Sequence, residues 1–115
     1  MRVLIVEDNE QMRGVIRRVL RGLADEFGEC HDGSEALTAY EEFLPDWVLM
    51  DIKMKDLDGI VAAREIRSAF PRARILIVTD YDDPALRDAA FRAGASGYVL
   101  KENLFELRRF LENSR

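Results

Sequence analysis

Short apolar runs recur along the chain, each closed by a polar residue and followed by a stretch whose apolar positions fall three and four apart. Val3-Leu4-Ile5-Val6 ends at Glu7 and Asp8, Trp47-Val48-Leu49-Met50 at Asp51, Ile75-Leu76-Ile77-Val78 at Thr79, and Tyr98-Val99-Leu100 at Lys101. Uniformly apolar runs of this length are strands buried on both faces, and the spacing between them is that of amphipathic helices. Strands are expected near Arg2 to Val6, Glu26 to Cys30, Trp47 to Met50, Arg74 to Val78 and Gly97 to Leu100. The second alternates and contains Gly28, which places it at the rim of the sheet.

The first helix is expected from the stripe Met12, Val15, Ile16, Val19, Leu20 and Leu23. A second starts around Gly33 to Glu35, with Ser34 as cap, and carries Leu37, Tyr40, Phe43 and Leu44 until Pro45 stops it. A third runs from Asp58 and Gly59 through Ile60, Ala63 and Ile66 to Phe70, before Pro71. The fourth has Asp83 as N-cap, Pro84 at the first helical position and Gly94 just past its end. The fifth is expected to be capped by Asn103 with Glu106 three residues on, and buries Leu104, Leu107, Phe110 and Leu111. Five strands alternating with five helices predict an α/β fold, a parallel sheet covered on both faces.

At 115 residues the chain is expected to make one domain, 1–115, with no output domain within it. A net charge of −5 provides no basic footprint, so direct nucleic-acid binding is not expected. Cys30 is the single cysteine, which excludes an internal disulfide, and no apolar segment is long enough for a signal core or a membrane span; a cytoplasmic location is the default. Cys30 reads as a small buried hydrophobe and His31 as a loop residue, with no His/Cys spacing of a zinc site.

In a parallel sheet the polar residues ending the runs emerge at one edge, where ligands of open α/β sheets bind. Glu7, Asp8 and Asp51 would repel one another there and raise each other's pKa. A hard divalent cation relieves this, and Mg²⁺ suits few carboxylates, a carbonyl and several waters. Glu7 and Asp8 taken alone could instead cap the first helix, but that does not explain an acid ending the central strand. Thr79 and Lys101, unremarkable singly, end strands beside that of Asp51 and could hold phosphoryl oxygens. The group fits phosphoryl transfer.

Glu7-Asp8, Met50-Asp51, Asp58-Gly59, Thr79 and Gly97-Tyr98-Val99-Leu100-Lys101, in this order over nearly the whole chain, resemble the motif set of the response-regulator receiver domain of two-component signalling. The stretches Thr79 to Asp83 and Gly97 to Glu102 look most like the branch whose members carry a C-terminal helix-turn-helix DNA-binding domain. The resemblance implies a flavodoxin-like (βα)5 doubly wound sheet with strand order 2-1-3-4-5. It implies Asp51 as phosphoacceptor, Glu7, Asp8, Asp51 and the Lys53 carbonyl around Mg²⁺, and Thr79 and Lys101 as phosphoryl ligands. Thr79 and Tyr98 would be the switch pair, Tyr98 turning inward when Thr79 moves. Implied partners are a sensor histidine kinase or phosphotransfer protein and, as a further option, a second copy in a homodimer.

Three positions depart from the family pattern: Lys55 and Glu102 stand where many relatives have proline, and Asp80 where a small residue is usual. Asp80 is expected either to pair with Lys53 at the mouth of the cleft or to weaken phosphoryl retention by repulsion. Two other readings stay open at this point. A pseudo-receiver that binds without phosphorylation is disfavoured by the intact acid, Thr and Lys set. A flavodoxin-like cofactor binder or small phosphatase-type enzyme is disfavoured by the three acids and by the lack of a Gly-rich phosphate loop.

Overall fold

The computed structural model describes residues 1–113, so the last two residues of the expected 1–115 domain lie outside the described residues. Five strands form one parallel sheet in the order β2-β1-β3-β4-β5: β1 Arg2–Val6, β2 Glu26–Cys30, β3 Trp47–Met50, β4 Ile75–Thr79 and β5 Gly97–Leu100. The helices are α1 Glu10–Val19, α2 Ala36–Phe43, α3 Gly59–Ala69, α4 Pro84–Arg92 and α5 Glu106–Glu112, with 3₁₀ turns at Gly33–Glu35 and Lys101–Asn103. No described helix is long and apolar enough to cross a membrane.

Alternation along each strand divides the core between two faces. Val3, Ile5, Leu49, Leu76, Val78 and Val99 pack with Ile16, Leu20, Leu107 and Leu111, under α1 and α5. Leu4, Val6, Val48, Met50, Ile75 and Ile77 pack on the other face with Tyr40, Ile60, Ala63 and Ile66, under α2 and α3. Each fully buried Leu or Ile contributes about 1.5–3 kcal/mol, so truncating one such as Ile66 to alanine should cost about 2–5 kcal/mol. Edge strand β2 is the exception, with Glu26 and Glu29 exposed, in line with its alternating sequence.

Several helix boundaries differ from those expected. Side-chain caps hold α1, α3 and α4 as Asn9, Asp58 and Asp83 accept from N–H groups of the first turn. Asn9, not Glu7 or Asp8, caps α1. Ser34 does not cap the second helix: α2 has no side-chain cap, and the capping side chain ahead of it is Asp32, whose carboxylate accepts from the Ser34 N–H at 2.8 Å at the start of the 3₁₀ turn. Leu44 is not part of the apolar stripe; it ends α2 in the left-handed region (φ 50°) with 61% of its surface exposed. Asn103 does not cap α5 because the chain after Lys101 first makes a 3₁₀ turn, and α5 starts three residues later with no side-chain cap. The Lys101–Glu102 peptide, at the position where many relatives have proline, is trans.

Candidate phosphoryl-transfer site

Strand register creates the site. Val6 pairs with Met50, and the Asp51 N–H donates to the Val6 carbonyl at 3.0 Å, so Glu7 and Asp51 leave the sheet side by side. Glu7 is held from the other side by β2, its N–H donating to the Cys30 carbonyl at 3.1 Å. Asp8 projects from the following turn, and one oxygen from each of Glu7, Asp8 and Asp51 lies within 4.8 Å of the others. Glu7 and Asp51 are buried while Asp8 is exposed, which makes the cluster a cleft open on one side.

Lys101, at the end of β5, reaches back across the sheet edge. Its ammonium lies 2.8 Å from Glu7 Oε1, 3.4 Å from Asp51 Oδ1 and 4.0 Å from Asp80 Oδ2. One cation thus serves two buried acids. Burial pushes the Glu7 carboxyl from 4.5 up to about 7, opposed by the Lys101 hydrogen bond and reinforced by Asp8 and Asp51. Burial also raises the Asp51 carboxyl, against the pull of Lys101. Desolvation works to lower the Lys101 ammonium, but Glu7, Asp51 and Asp80 together raise it, so it stays charged.

Thr79 is fully buried at the end of β4, and its Oγ1 accepts from the Tyr81 N–H at 3.2 Å. The Tyr98 hydroxyl donates to the Tyr81 carbonyl at 2.6 Å, and its ring, 7% exposed, lies inward with the Arg87 guanidinium of α4 4.8 Å from its centroid. Tyr81 therefore bridges Thr79 and Tyr98 through its own backbone. Lys53 is exposed, and its ammonium sits 5.7 Å from the Tyr81 ring centroid. This corrects one expectation: the recorded ion pair of Asp80 is with Lys101, at the limit of ion-pair distance, while Lys53 lies over Tyr81. Asp80 is three-quarters exposed, so that contact is weak.

Supporting residues were less visible in the sequence. Arg13, buried on α1, donates to the Glu7 carbonyl at 2.6 Å and to Glu29 Oε1 at 2.9 Å, fixing the backbone that aims Glu7. A guanidinium within a helical core stripe, flanked by Met12 and Ile16, was the available signal. A Cβ on Gly59 would overlap the Asp51 carbonyl oxygen, so only glycine lets α3 start against the end of β3. Cys30 is buried and its thiol is pushed up to about 12, chiefly by burial, which makes it unreactive; His31 is exposed.

A five-stranded parallel sheet in this order with acids at the ends of its first and third strands defines a receiver fold. The chain belongs to the response regulator receiver domain family, whose model matches residues 3–112. It is 38% identical over 99 residues to a chemotaxis protein CheY of Halobacterium salinarum, covering 86% of this chain and 82% of that one. It is 32% identical over 103 residues to the transcriptional regulatory protein DegU of Brevibacillus brevis, covering 87% of this chain but 43% of that protein. Among solved structures, a LuxR-family two-component response regulator from an Aurantimonas species superposes with a TM-score of 0.90 at 37% identity, over 98% of this chain and 83% of that one. The chain is thus a receiver domain of two-component signalling, similar both to stand-alone receivers and to the receiver portion of transcriptional regulators.

Proposed function

We propose that this domain, residues 1–115, is a cytoplasmic switch in which Asp51 accepts a phosphoryl group from a phosphohistidine of a sensor kinase or phosphotransfer protein. The carrying observation is the Lys101 ammonium shared between Glu7 and Asp51 at 2.8 and 3.4 Å, beside a third acid, Asp8. Three carboxylates against one ammonium leave the pocket short of positive charge, and its donors are all hard oxygens, so the residues fit Mg²⁺. Glu7, Asp8 and Asp51 with the Lys53 carbonyl would hold that ion, which when bound supplies positive charge that lets an anionic donor approach an anionic acceptor.

A carboxylate oxygen of Asp51 attacks phosphorus; the new O–P bond forms as the P–N bond to the donor imidazole breaks, and the imidazole keeps the electron pair and takes up a proton. Lys101 donates to one phosphoryl oxygen and the Thr79 hydroxyl to another. Thr79 then gives up its bond with the Tyr81 N–H, and because Tyr81 also holds the Tyr98 hydroxyl, the change passes to Tyr98, Arg87 and the face formed by α4, β5 and α5. Moving that face from about 1:99 to 99:1 needs roughly 5.5 kcal/mol, within reach of a few charge-assisted hydrogen bonds at about 1.5–3 kcal/mol each.

The altered face would control an output domain or a partner, or join two copies as a homodimer. Because the chain spans less than half of the transcriptional regulator it resembles, control of transcription through an adjoining domain is part of this proposal. The domain itself is not expected to touch nucleic acid, given its charge of −5, nor to turn over any substrate beyond its own phosphoryl group. The test is incubation with a small phosphodonor, with and without Mg²⁺, read by intact mass. One phosphate that requires Mg²⁺ and vanishes in Asp51→Asn is expected; labelling that ignores Mg²⁺ or survives the substitution refutes the reading.

A further inference from the structure

The connection from β3 to α3, Ile52 to Asp58, follows Asp51 directly and carries Lys53. Its stem is closed by the Gly59 N–H donating to the Ile52 carbonyl at 2.8 Å. Its far end is held from outside: Asp32, in the connection from β2 to α2, accepts from the Asp56 N–H at 2.9 Å through Oδ1 and from the Leu57 N–H at 3.2 Å through Oδ2. These bonds cross 24 and 25 residues of sequence. Asp32 is 7% exposed, one of the few buried charged side chains in the described structure and one that the phosphoryl-transfer chemistry does not use.

We propose that Asp32 is a positioning residue for the phosphoacceptor loop, clasping its far end so that the segment bearing Lys53 stays against the acidic cluster. The inference rests on the proposed Mg²⁺-dependent function. Capping alone does not account for Asp32, because the Ser34 N–H at 2.8 Å is a task serine or threonine performs with less charge to desolvate. A buried carboxylate with two oxygens is the side chain that can cap and also reach two amides of another loop. Burial raises its pKa, yet the N–H groups of Asp56, Ser34 and Leu57, with the Ser34 side chain, bring it down to about 2, so the clasp is ionised throughout the physiological range.

The neighbouring residue points the same way on steric grounds. A Cβ on Gly33 would overlap the Leu57 carbonyl oxygen and lie 3.2 Å from the Ala62 methyl, so the two connections touch backbone to backbone. Gly33→Ala should displace the loop without altering any charge.

The decisive variant is Asp32→Ser, whose hydroxyl can still cap Ser34 but is too short for Asp56 and Leu57. Mg²⁺ binding to the full chain is measured by calorimetric titration, and exchange of the Asp56 and Leu57 amides by NMR, for wild type, Asp32→Ser, Gly33→Ala and a remote core control, Leu20→Val. We expect about tenfold weaker Mg²⁺ binding and faster exchange at both amides in the two loop variants, with the control unchanged, as for residues that support metal ligands from behind. Wild-type Mg²⁺ affinity in Asp32→Ser makes Asp32 a cap and nothing more, and overturns the inference. If Asp32→Ser does not fold, Gly33→Ala and Asp32→Asn, which keeps one accepting oxygen, carry the same comparison. If the wild-type protein binds no Mg²⁺, the proposed function itself falls and this inference with it; binding in wild type with no loss in the variants sinks the inference alone.

Discussion

Glu7→Gln should stabilise the metal-free protein at pH 8 and weaken the metal-bound one. Glu7 is 2% exposed, and burial, Asp8 and Asp51 outweigh Lys101 to hold its carboxyl at about 7 instead of 4.5. A folded-state pKa above the unfolded one means that the native state binds the proton more tightly. The associated stability is fully present below about pH 4.5 and is lost as pH rises to about 7. Two and a half pH units correspond to roughly 3 kcal/mol as a ceiling. Glutamine removes that cost but keeps a single oxygen, enough for Lys101 while its NH2 faces the Asn9 N–H; subtracting about 1 kcal/mol for the lost bond leaves about 2 kcal/mol of gain at pH 8, or about 8 °C in Tm for a domain of this size. At pH 5 the native Glu7 is already protonated and the gain shrinks below about 1 kcal/mol. Thermal melts by circular dichroism in chelator at both pH values test this. Adding Mg²⁺ should then reverse the ranking, since the wild type gains ligand stabilisation, about 2.7 kcal/mol at a hundred times Kd, that the variant has largely lost. A gain of equal size at pH 5 and pH 8, or a loss at pH 8, refutes the account of Glu7.

Asp32 has the opposite sign: its pKa lies below the unfolded value, so its stabilisation is present above about pH 4 and lost as pH falls through about 2, and acid melts of Asp32→Ser should be flatter across that window. Leu44→Gly should raise Tm by about 2–4 °C, because an exposed leucine at φ 50° carries roughly 1 kcal/mol of steric cost that glycine avoids, partly offset by glycine's unfolded-state entropy; a lower Tm would contradict this. Tyr98→Phe removes the 2.6 Å bond to the Tyr81 carbonyl, for a loss of about 1 kcal/mol in chemical denaturation and an uncoupling of α4 from phosphorylation in NMR spectra. Asp80→Ala, deleting an exposed charge 4.0 Å from Lys101, should lengthen the phosphoryl lifetime several-fold; unchanged Mg²⁺ affinity and dephosphorylation would remove Asp80 from the mechanism.

The strands and the four run-ending residues could be read from the chain because a buried parallel strand leaves a continuous apolar signature, and its last polar neighbour is then conspicuous. Where burial is partial, the pattern carries less. The α1 stripe continues to Leu23, yet the helix ends at Val19: Leu20 and Leu23 are buried from a turn, which periodicity cannot distinguish from another helical coil. Ser34 and Asn103 are good capping types, but a cap is decided by φ and ψ at one residue. At Asp32 the longer acid was better placed, and at Asn103 the chain was still in a 3₁₀ turn. Asp32 and Arg13 were illegible for a common reason, since each acts on backbone groups brought close by the fold, and backbone groups leave no mark in a sequence.

Side-chain length at the site follows from strand order, which is why the run-ending residues cannot be exchanged among strands. Parallel neighbours lie about 4.8 Å apart, so Glu7 just after β1 and Asp51 just after β3 are necessarily close, and Thr79 at the end of β4 needs only a short side chain to stand beside Asp51. Lys101 leaves β5, two strands or nearly 10 Å from β3, and must contact Glu7 one strand further still. Only a long side chain spans that distance, with Glu7 supplying the remaining reach from the other side. The ammonium that offsets the cluster therefore arrives across three of the four strand spacings of the sheet edge, and any rearrangement of β5 against β4 moves the charge that Asp51 feels.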